Sequence, residues 1–127
     1  MGMEATAWPT SLPEGLADGV FPAGCPSRTV LDHITSKWGV LILLALSEGE
    51  HRWSELRRRA EGISEKMLAQ TLKTLERDGL VLRKAQPVIP PRVDYSLTER
   101  GHELSGLLVP LVTWAYNNAD DILNSQR

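Results

Sequence analysis

The chain has 127 residues, 42% of them apolar and 24% charged, which is enough for one domain with its own buried core. Its single cysteine excludes an internal disulfide framework and favours a reducing compartment. The apolar run Val40–Leu46 is too short to span a membrane, and no basic start with an apolar run marks a secretory signal. We therefore expect a cytoplasmic protein without a membrane partner.

Charge is distributed unevenly along the sequence. The formal net charge is −2, yet the segment Arg52–Arg92 has ten Lys and Arg against five Asp and Glu, and the remainder has a net charge of −7. A chance fluctuation can produce such a window, but this surplus coincides with the helices and the hairpin predicted for the same segment. A local positive surplus is what a phosphate-binding surface requires.

Residues 1–24 contain repeated prolines and glycines among few periodic apolar residues, which predicts a poorly structured N-terminal arm. We place the domain at residues 25–124. Two helices are predicted to open it, from about Pro26 to Ser36 and from about Val40 to Ser47. The second is apolar on nearly every side and should therefore be central. A short strand is expected at Arg52–Trp53.

A short helix and a longer one are predicted for the middle of the domain. Ser54 can cap the short helix, which ends near Gly62, and Ser64 can cap the longer one. At 100° per residue, Gly62–Asp78 separates into an apolar stripe and an opposite polar stripe. This polar stripe consists of Lys66, Gln70, Lys73 and Arg77. A solvated amphipathic helix has the same pattern, so the interpretation of the stripe depends on the segment after Asp78.

Two strands joined by a proline-rich turn come after the long helix. Leu80–Ala85 and Val93–Leu97 have strand patterns, and Gln86–Arg92 forms a stiff turn between them. In the second strand, apolar residues alternate with Asp94 and Ser96, which predicts one buried face. Helix, tight turn, helix and hairpin is the order of a winged helix-turn-helix. The predicted fold class is mainly α with a small antiparallel β wing.

A long apolar helix comes after the hairpin. Thr98 can cap its N-terminus, and Pro110 is expected to kink or split it. A completed winged domain leaves this apolar helix uncovered, so we expect it to pair with its own copy across a two-fold axis, helped by the first helix. The alternative is that it folds back on its own core. The residues predicted for the dimer interface are Leu104, Leu107, Leu108, Leu111, Trp114 and Ala115.

Several segments occur in the order typical of one family. They are Cys25–Leu44, Arg52–Ser64, Leu75–Val81 and Pro90–Gly101. Over roughly residues 25–118, the chain resembles the HxlR-type transcriptional regulators, a branch near the MarR family. It departs from them at Ser36, where a glycine often precedes Lys-Trp, and in the long segment before Cys25. The resemblance implies a dimeric winged helix-turn-helix protein that regulates transcription.

The charge distribution and the order of elements together predict a DNA-binding surface. Ser64 and Lys66 lie where the long helix would enter a major groove, and the Gln70 amide can pair with adenine. Lys73 and Arg77 lie nearer the phosphates, and the wing adds basic groups beside a minor groove. The predicted set is Ser54, Ser64, Lys66, Gln70, Thr71, Lys73, Arg77, Arg83, Lys84 and Arg92. The expected partner is double-stranded DNA with an inverted-repeat operator.

Cys25 is the candidate for chemistry. Pro26 suits the first position of a helix, which places Cys25 at the N-cap, where the helix dipole and Arg28 favour the thiolate. The resemblance adds that family members include sensors of oxidants, quinones and aldehydes with a cysteine at this place. The alternative is a structural cysteine. Without a second cysteine, the open reactions are a link between subunits, a mixed disulfide or S-alkylation.

No residue pattern indicates an enzyme, a metal site or a cofactor, because the three histidines are scattered and have no ligand spacing around them. We predict a sequence-specific transcriptional regulator, a repressor rather than an activator, that responds to an oxidant or electrophile through Cys25. One alternative is a regulator that binds a small apolar effector at the dimer cleft. Another is a winged-helix protein-interaction module without DNA binding, against which the polar stripe argues.

Overall fold

The structure, a computed structural model, describes residues 25–126. Within them the chain is mainly helical with a small antiparallel sheet, as predicted. The elements are α1 (Pro26–Ile34), α2 (Lys37–Ser47), β1 (His51–Arg52), α3 (Trp53–Arg59), α4 (Glu65–Arg77), β2 (Val81–Gln86), β3 (Arg92–Leu97) and α5 (Glu99–Asn124). The boundary between two structural units of the chain falls between Asp32 and His33, within α1. The predicted N-terminal arm lies outside the described residues.

Helix α2 forms the centre of the core, as its apolar sequence predicts. Ile42 and Leu46 on this helix are fully buried. The helix starts earlier than expected, at Lys37, because the Ser36 hydroxyl accepts a hydrogen bond from the Gly39 N–H at 3.1 Å. Ser36, the departure from the family pattern, therefore acts as a helix cap.

Helices α3 and α4 and the sheet complete the core around α2. Their core residues are Leu56, Ala60, Ile63, Leu68, Leu72, Leu75, Leu80, Val81, Tyr95 and Leu97. Burying these apolar side chains is the main source of stability for a domain of this size. The packing also fixes which face of each helix is left for solvent.

Helix α3 begins one residue before Ser54, so the predicted cap at Ser54 is wrong. Glu55 fixes the start of the helix, because its Oε1 accepts a hydrogen bond from the Arg52 N–H at 2.8 Å. The helix ends at Arg59 and not near Gly62. Gly62 has a positive φ of 94° and lies in the turn to α4, a backbone conformation that glycine adopts without strain.

The three strands form one antiparallel sheet in the order β1–β3–β2. Because β3 lies in the middle, Asp94 is paired across the sheet with Arg52 on one side and with Lys84 on the other. The short strand expected at Arg52–Trp53 is present, shifted by one residue to His51–Arg52. The hairpin β2–β3 is the wing.

Helix α5 is continuous from Glu99 to Asn124, so Pro110 does not split it, and the kink expected there stays a prediction. Proline removes one N–H donor, and the carbonyl that loses it belongs to Gly106. Both residues are exposed, so water can bond to that carbonyl. The predicted cap at Thr98 is confirmed, since its side chain accepts a hydrogen bond from the Gly101 N–H at 3.0 Å.

The two halves of α5 have different surroundings. In the first half, Ser105 and Leu108 are buried, and Leu104 packs against the core. Leu108 is only 5% exposed within its own chain, which corrects its assignment to a dimer interface. After Leu108, α5 has no buried residue within the described part of the chain. Folding back on the core therefore applies to the first half of the helix alone.

Candidate nucleic-acid interface

Helix α4 presents the polar stripe to solvent. Every residue of the polar stripe is exposed, whereas the opposite face buries Leu68, Leu72 and Leu75. The Ser64 hydroxyl accepts a hydrogen bond from the Met67 N–H at 3.0 Å and so caps the helix, as predicted. Because the buried face fixes the rotation of α4, the stripe points away from the core.

The C-terminal end of α4 is held by main-chain hydrogen bonds. Gly79 has a positive φ of 76°, and the Leu80 N–H donates to the Leu75 carbonyl at 2.9 Å. The Leu80 carbonyl in turn accepts from the Thr98 N–H at 3.0 Å, and the Thr98 hydroxyl donates to the Gly79 carbonyl at 2.6 Å. The start of α5 is thereby attached to the end of α4.

A side-chain pair also fixes this end of α4. Nδ1 of His33 lies 2.7 Å from Oδ2 of Asp78, the residue that comes directly after the helix, and both side chains are partly buried. The two residues are 45 positions apart, so no local sequence pattern predicts the contact.

Two helical members of the predicted DNA-binding set, Thr71 and Ser54, lie outside the polar stripe. Thr71 is half-buried, so only part of its side chain is accessible. Ser54 is exposed and lines an open hollow together with Trp53, Arg57 and Arg58. This hollow belongs to α3, the helix that precedes the turn.

Helix α3 has positive charge that the predicted set lacks. Its last turn consists of Arg57, Arg58 and Arg59, all exposed. Nη1 of Arg57 lies 3.8 Å from Oε2 of Glu65, and Arg59 is paired with Glu48. Arg58 is therefore the strongest addition to the interface. The run of three arginines beside a predicted helix is the sequence signal that identifies it.

The wing has exposed basic side chains on β2, whereas the arginine on β3 is hydrogen-bonded within the wing. Arg83 and Lys84 are exposed. Arg92, at the start of β3, donates from Nε to Oδ1 of Asp94 at 3.1 Å. Of the three basic wing residues in the predicted set, Arg92 is thus partly committed to its own chain.

Asp94 is buried, contrary to the alternation that predicts it on the open face of β3. Only 4% of it is exposed, and Gln86 Nε2 donates to its Oδ2 at 3.0 Å. The Arg92 side chain, followed by the Gln86 amide, holds the pKa of Asp94 below its ordinary value of 3.8, although burial acts in the opposite direction. A buried charge is retained here because donors surround it.

Cys25 is partly exposed and directly precedes the first residue of α1. Its carbonyl accepts from the Arg28 N–H at 3.0 Å, as at a helix start. Hydrogen bonds from the backbone N–H groups of Arg28 and Ser27 lower the pKa of the Cys25 thiol below its ordinary value of 9.0. Burial opposes this shift, and the Ser27 side chain adds to it.

Among residues 25–126, no group of three His, Cys, Asp or Glu side chains is arranged to hold a metal ion. In the same part of the chain, no single helix is long and apolar enough to cross a membrane. Helices α1 and α2 reach that length and composition only when taken together.

The polar stripe lies on a helix whose opposite face is buried. A short helix comes before it and a basic hairpin comes after it. This arrangement defines the class of winged helix-turn-helix DNA-binding proteins. The family model for the HxlR-like helix-turn-helix matches residues 33–122. The chain belongs to the HxlR family, and the resemblance seen in the sequence is confirmed. Proteins of this family are DNA-binding transcriptional regulators and not enzymes.

Similar proteins cover nearly the whole domain. The HTH-type transcriptional regulator YtfH of Escherichia coli K12 is 53% identical over 114 residues, which are 89% of this chain and 90% of that protein. The structure of transcriptional regulator ytfH from Salmonella typhimurium superimposes with a TM-score of 0.79 at 51% identity, over 84% of this chain and 95% of that one. The structure of the redox regulator HypR in its reduced form superimposes with a TM-score of 0.71 at 36% identity, over 80% of this chain and 99% of that one.

Proposed function

We propose that this protein is a homodimeric repressor that binds an inverted-repeat operator through α4 and the wing. The observation that carries the proposal is the exposed polar stripe on a helix whose other face is locked in the core. Two copies of α4 in successive major grooves require half-site centres roughly 10 base pairs apart, or a multiple of that spacing.

Each residue of the α4 surface has a role that its chemistry allows. The Gln70 amide reads adenine through paired donor and acceptor groups, and Ser64 and Lys66 contact the DNA at the entering end of the helix. Lys73 and Arg77 neutralise phosphates and fix the register. Arg83 and Lys84 on β2, and Arg58 on α3, extend the phosphate contacts along the duplex. The further contacts of the predicted set are Ser54, Thr71 and Arg92.

An exposed apolar face of α5 supports the homodimer. Leu107, Leu111 and Trp114 are exposed and lie on one face of the helix, with Ala115 beside them. Leu111 is 58% exposed and Trp114 59% exposed. An apolar face of this kind is stabilised when a second copy covers it, and a two-fold axis then places two reading helices on one side.

The test is a binding titration with purified protein and fluorescent duplex DNA. Random-sequence duplex measures salt-dependent binding, and selection from a random pool supplies the operator. Gln70→Ala should lose roughly 1–3 kcal/mol on the selected operator and relax one base position. Lys73→Ala should weaken binding to all sequences and reduce the salt slope by about 1. Arg100→Ala, which removes an exposed cation outside the interface, is the matched control.

Unchanged operator affinity in both stripe variants contradicts the assignment of α4. An absence of salt-dependent binding to any duplex favours a protein-interaction module instead. Repression is checked by transcription in vitro from a promoter that contains the selected operator, where added protein should lower the transcript yield.

We infer further that Cys25 receives the signal. Its support is the lowered pKa of a partly exposed thiol at a helix start, together with the similarity to a protein described as a redox regulator. A larger thiolate fraction speeds attack on electrophiles and oxidants. With one cysteine per chain, the products are a disulfide between subunits, a mixed disulfide with a small thiol, or an S-alkyl adduct.

Cys25→Ser separates this signal from an apolar effector at the dimer cleft. A quinone, or an oxidant with a small thiol, should release the wild type from its operator and leave Cys25→Ser bound. In parallel, the rate of thiol labelling should rise with pH at a lower midpoint than for a free cysteine peptide. Release of Cys25→Ser as readily as the wild type means that the signal enters elsewhere, and the apolar effector becomes the better explanation.

A further inference from the structure

The tip of the wing is apolar, although the strands that support it are basic. The hairpin closes at the pair Gln86 and Arg92, which leaves residues 87–91, Pro-Val-Ile-Pro-Pro, as its turn. No residue of this turn carries a charge. Ile89 stands at its centre.

Ile89 is fully exposed, with 100% of its surface open to solvent, and the neighbouring Val88 is 49% exposed. Isoleucine is one of the residue types most often buried in proteins. The turn is constrained by its three prolines and by a hydrogen bond from the Val88 N–H to the Gln86 carbonyl at 2.9 Å. A constrained turn holds the apolar side chain outward at little further entropy cost.

The charges around the tip indicate what kind of surface it meets. Arg83 and Lys84 are exposed on β2, whereas Arg92 is hydrogen-bonded to Asp94. Positive charge therefore lies along the sides of the wing, and apolar surface lies at its end. The minor groove of duplex DNA has the complementary arrangement, because phosphates line its rims and sugar edges form its walls.

We propose that Ile89 is an apolar wedge that enters the minor groove beside each half-site and partly unstacks a flexible base step there. Small apolar side chains act in this way in proteins that bend DNA from the minor groove. The inference rests on the proposed function, since it requires α4 in the adjacent major groove. It adds a contact that reads the flank of the operator without hydrogen bonds to bases.

The wedge produces a sequence preference at the flank. The guanine 2-amino group projects into the minor groove and obstructs an apolar side chain, whereas A·T pairs leave the floor open. Pyrimidine–purine steps such as TA unstack most easily. The protein should therefore favour flanks with a TA step over G·C flanks.

The experiment uses the full-length protein and the selected operator with three flanks: TA-containing, G·C, and inosine·cytosine. An inosine·cytosine pair keeps the major-groove face of G·C and removes the 2-amino group from the minor groove. Affinities are measured for the wild type, Ile89→Ser, and Leu82→Ser as a control. Leu82 is an exposed apolar residue of the same hairpin that lies away from the tip.

The wild type should bind the TA and inosine flanks about three- to tenfold more tightly than the G·C flank. Ile89→Ser should lose this preference, and Leu82→Ser should keep it. The thymine of the flanking TA step should become more reactive to permanganate, which attacks unstacked thymines, when the wild type binds, and should stay unreactive with Ile89→Ser.

The inference is overturned if Ile89→Ser keeps the affinity and flank preference of the wild type, or if both wing variants lose them equally. Gln70→Ala and Lys73→Ala are measured on the same duplexes. If Gln70→Ala and Lys73→Ala weaken binding while Ile89→Ser does not, only the wedge is contradicted. If none of the three variants changes the affinity, the proposed function is contradicted as well.

Discussion

At the scale of single residues, one carboxylate holds the outer end of the wing together. Asp94 accepts from Gln86 on the neighbouring strand and from Arg92 on its own strand. A buried charge without such donors is strongly destabilising, so the three side chains act as a unit. The pairing of β2 with β3 near the tip is held by this unit.

We predict that Asp94→Asn lowers the melting temperature at neutral pH more than the same change at the exposed Asp120. Because the folded-state pKa of Asp94 lies below 3.8, its value in the unfolded chain, the charged form adds stability above that pH. This contribution is lost as the pH falls from 3.8 through the folded-state pKa. The difference between wild type and Asp94→Asn should therefore narrow in acid.

Thermal unfolding followed by circular dichroism, from about pH 7 down to about pH 3, measures this difference. Asp120→Asn controls for the general effect of removing one negative charge. A difference between wild type and Asp94→Asn that stays constant over the whole range contradicts the assignment.

At the scale of elements, the junction between α4 and α5 is an approach of main chain to main chain. A Cβ atom on Gly101 would lie 2.2 Å from the Leu80 carbonyl oxygen and 3.1 Å from a methyl group of Leu97. Only glycine allows the first turn of α5 to lie this close to Leu80. Gly106, one and a half turns further along, has nothing within 4 Å of such an atom.

We predict that Gly101→Ala destabilises the domain by about 1–3 kcal/mol, because the methyl group forces the two segments apart. Gly106→Ala should instead stabilise it by up to about 1 kcal/mol, since alanine favours the helix and meets no neighbour. Urea unfolding of both variants measures the two effects. Equal effects of the two substitutions would show that the close contact does not matter.

Features that depend on neighbours in sequence are those that the sequence predicts well. The polar stripe follows from helical spacing alone, and the Ser64 cap from its place before the helix. The start of α3 is misjudged because Glu55 competes with Ser54 as the residue that fixes it. The pair His33–Asp78 is set by packing between distant segments, which no local pattern contains.

At the scale of the whole molecule, the proposed dimer uses the exposed apolar face of α5 as its interface. Wild-type protein should sediment at twice the chain mass of 14.1 kDa. Leu111→Glu places a charge in the proposed interface and should shift the protein towards the monomer. Thr113→Glu adds the same charge on the opposite side of the helix and should leave the dimer intact.

Sedimentation velocity at micromolar concentration distinguishes the two variants. The operator affinity of Leu111→Glu should fall as the dimer is lost, because a monomer binds one half-site without the help of the other. If both variants sediment like the wild type, the proposed interface is wrong.

The contact at Leu80 couples the first turn of α5 to the end of the reading helix α4. The helix has 26 residues and is therefore about 39 Å long at 1.5 Å per residue. A Cβ on Gly101 would lie 2.2 Å from the Leu80 carbonyl oxygen, so the first turn of α5 and the end of α4 are in direct main-chain contact and we expect them to move together. In the proposed dimer, the position of α5 in each chain therefore sets the distance between the two reading helices, and with it the spacing of the half-sites. One inserted base pair rotates the second half-site by about 35° around the duplex, so we expect the insertion to weaken binding of the proposed dimer.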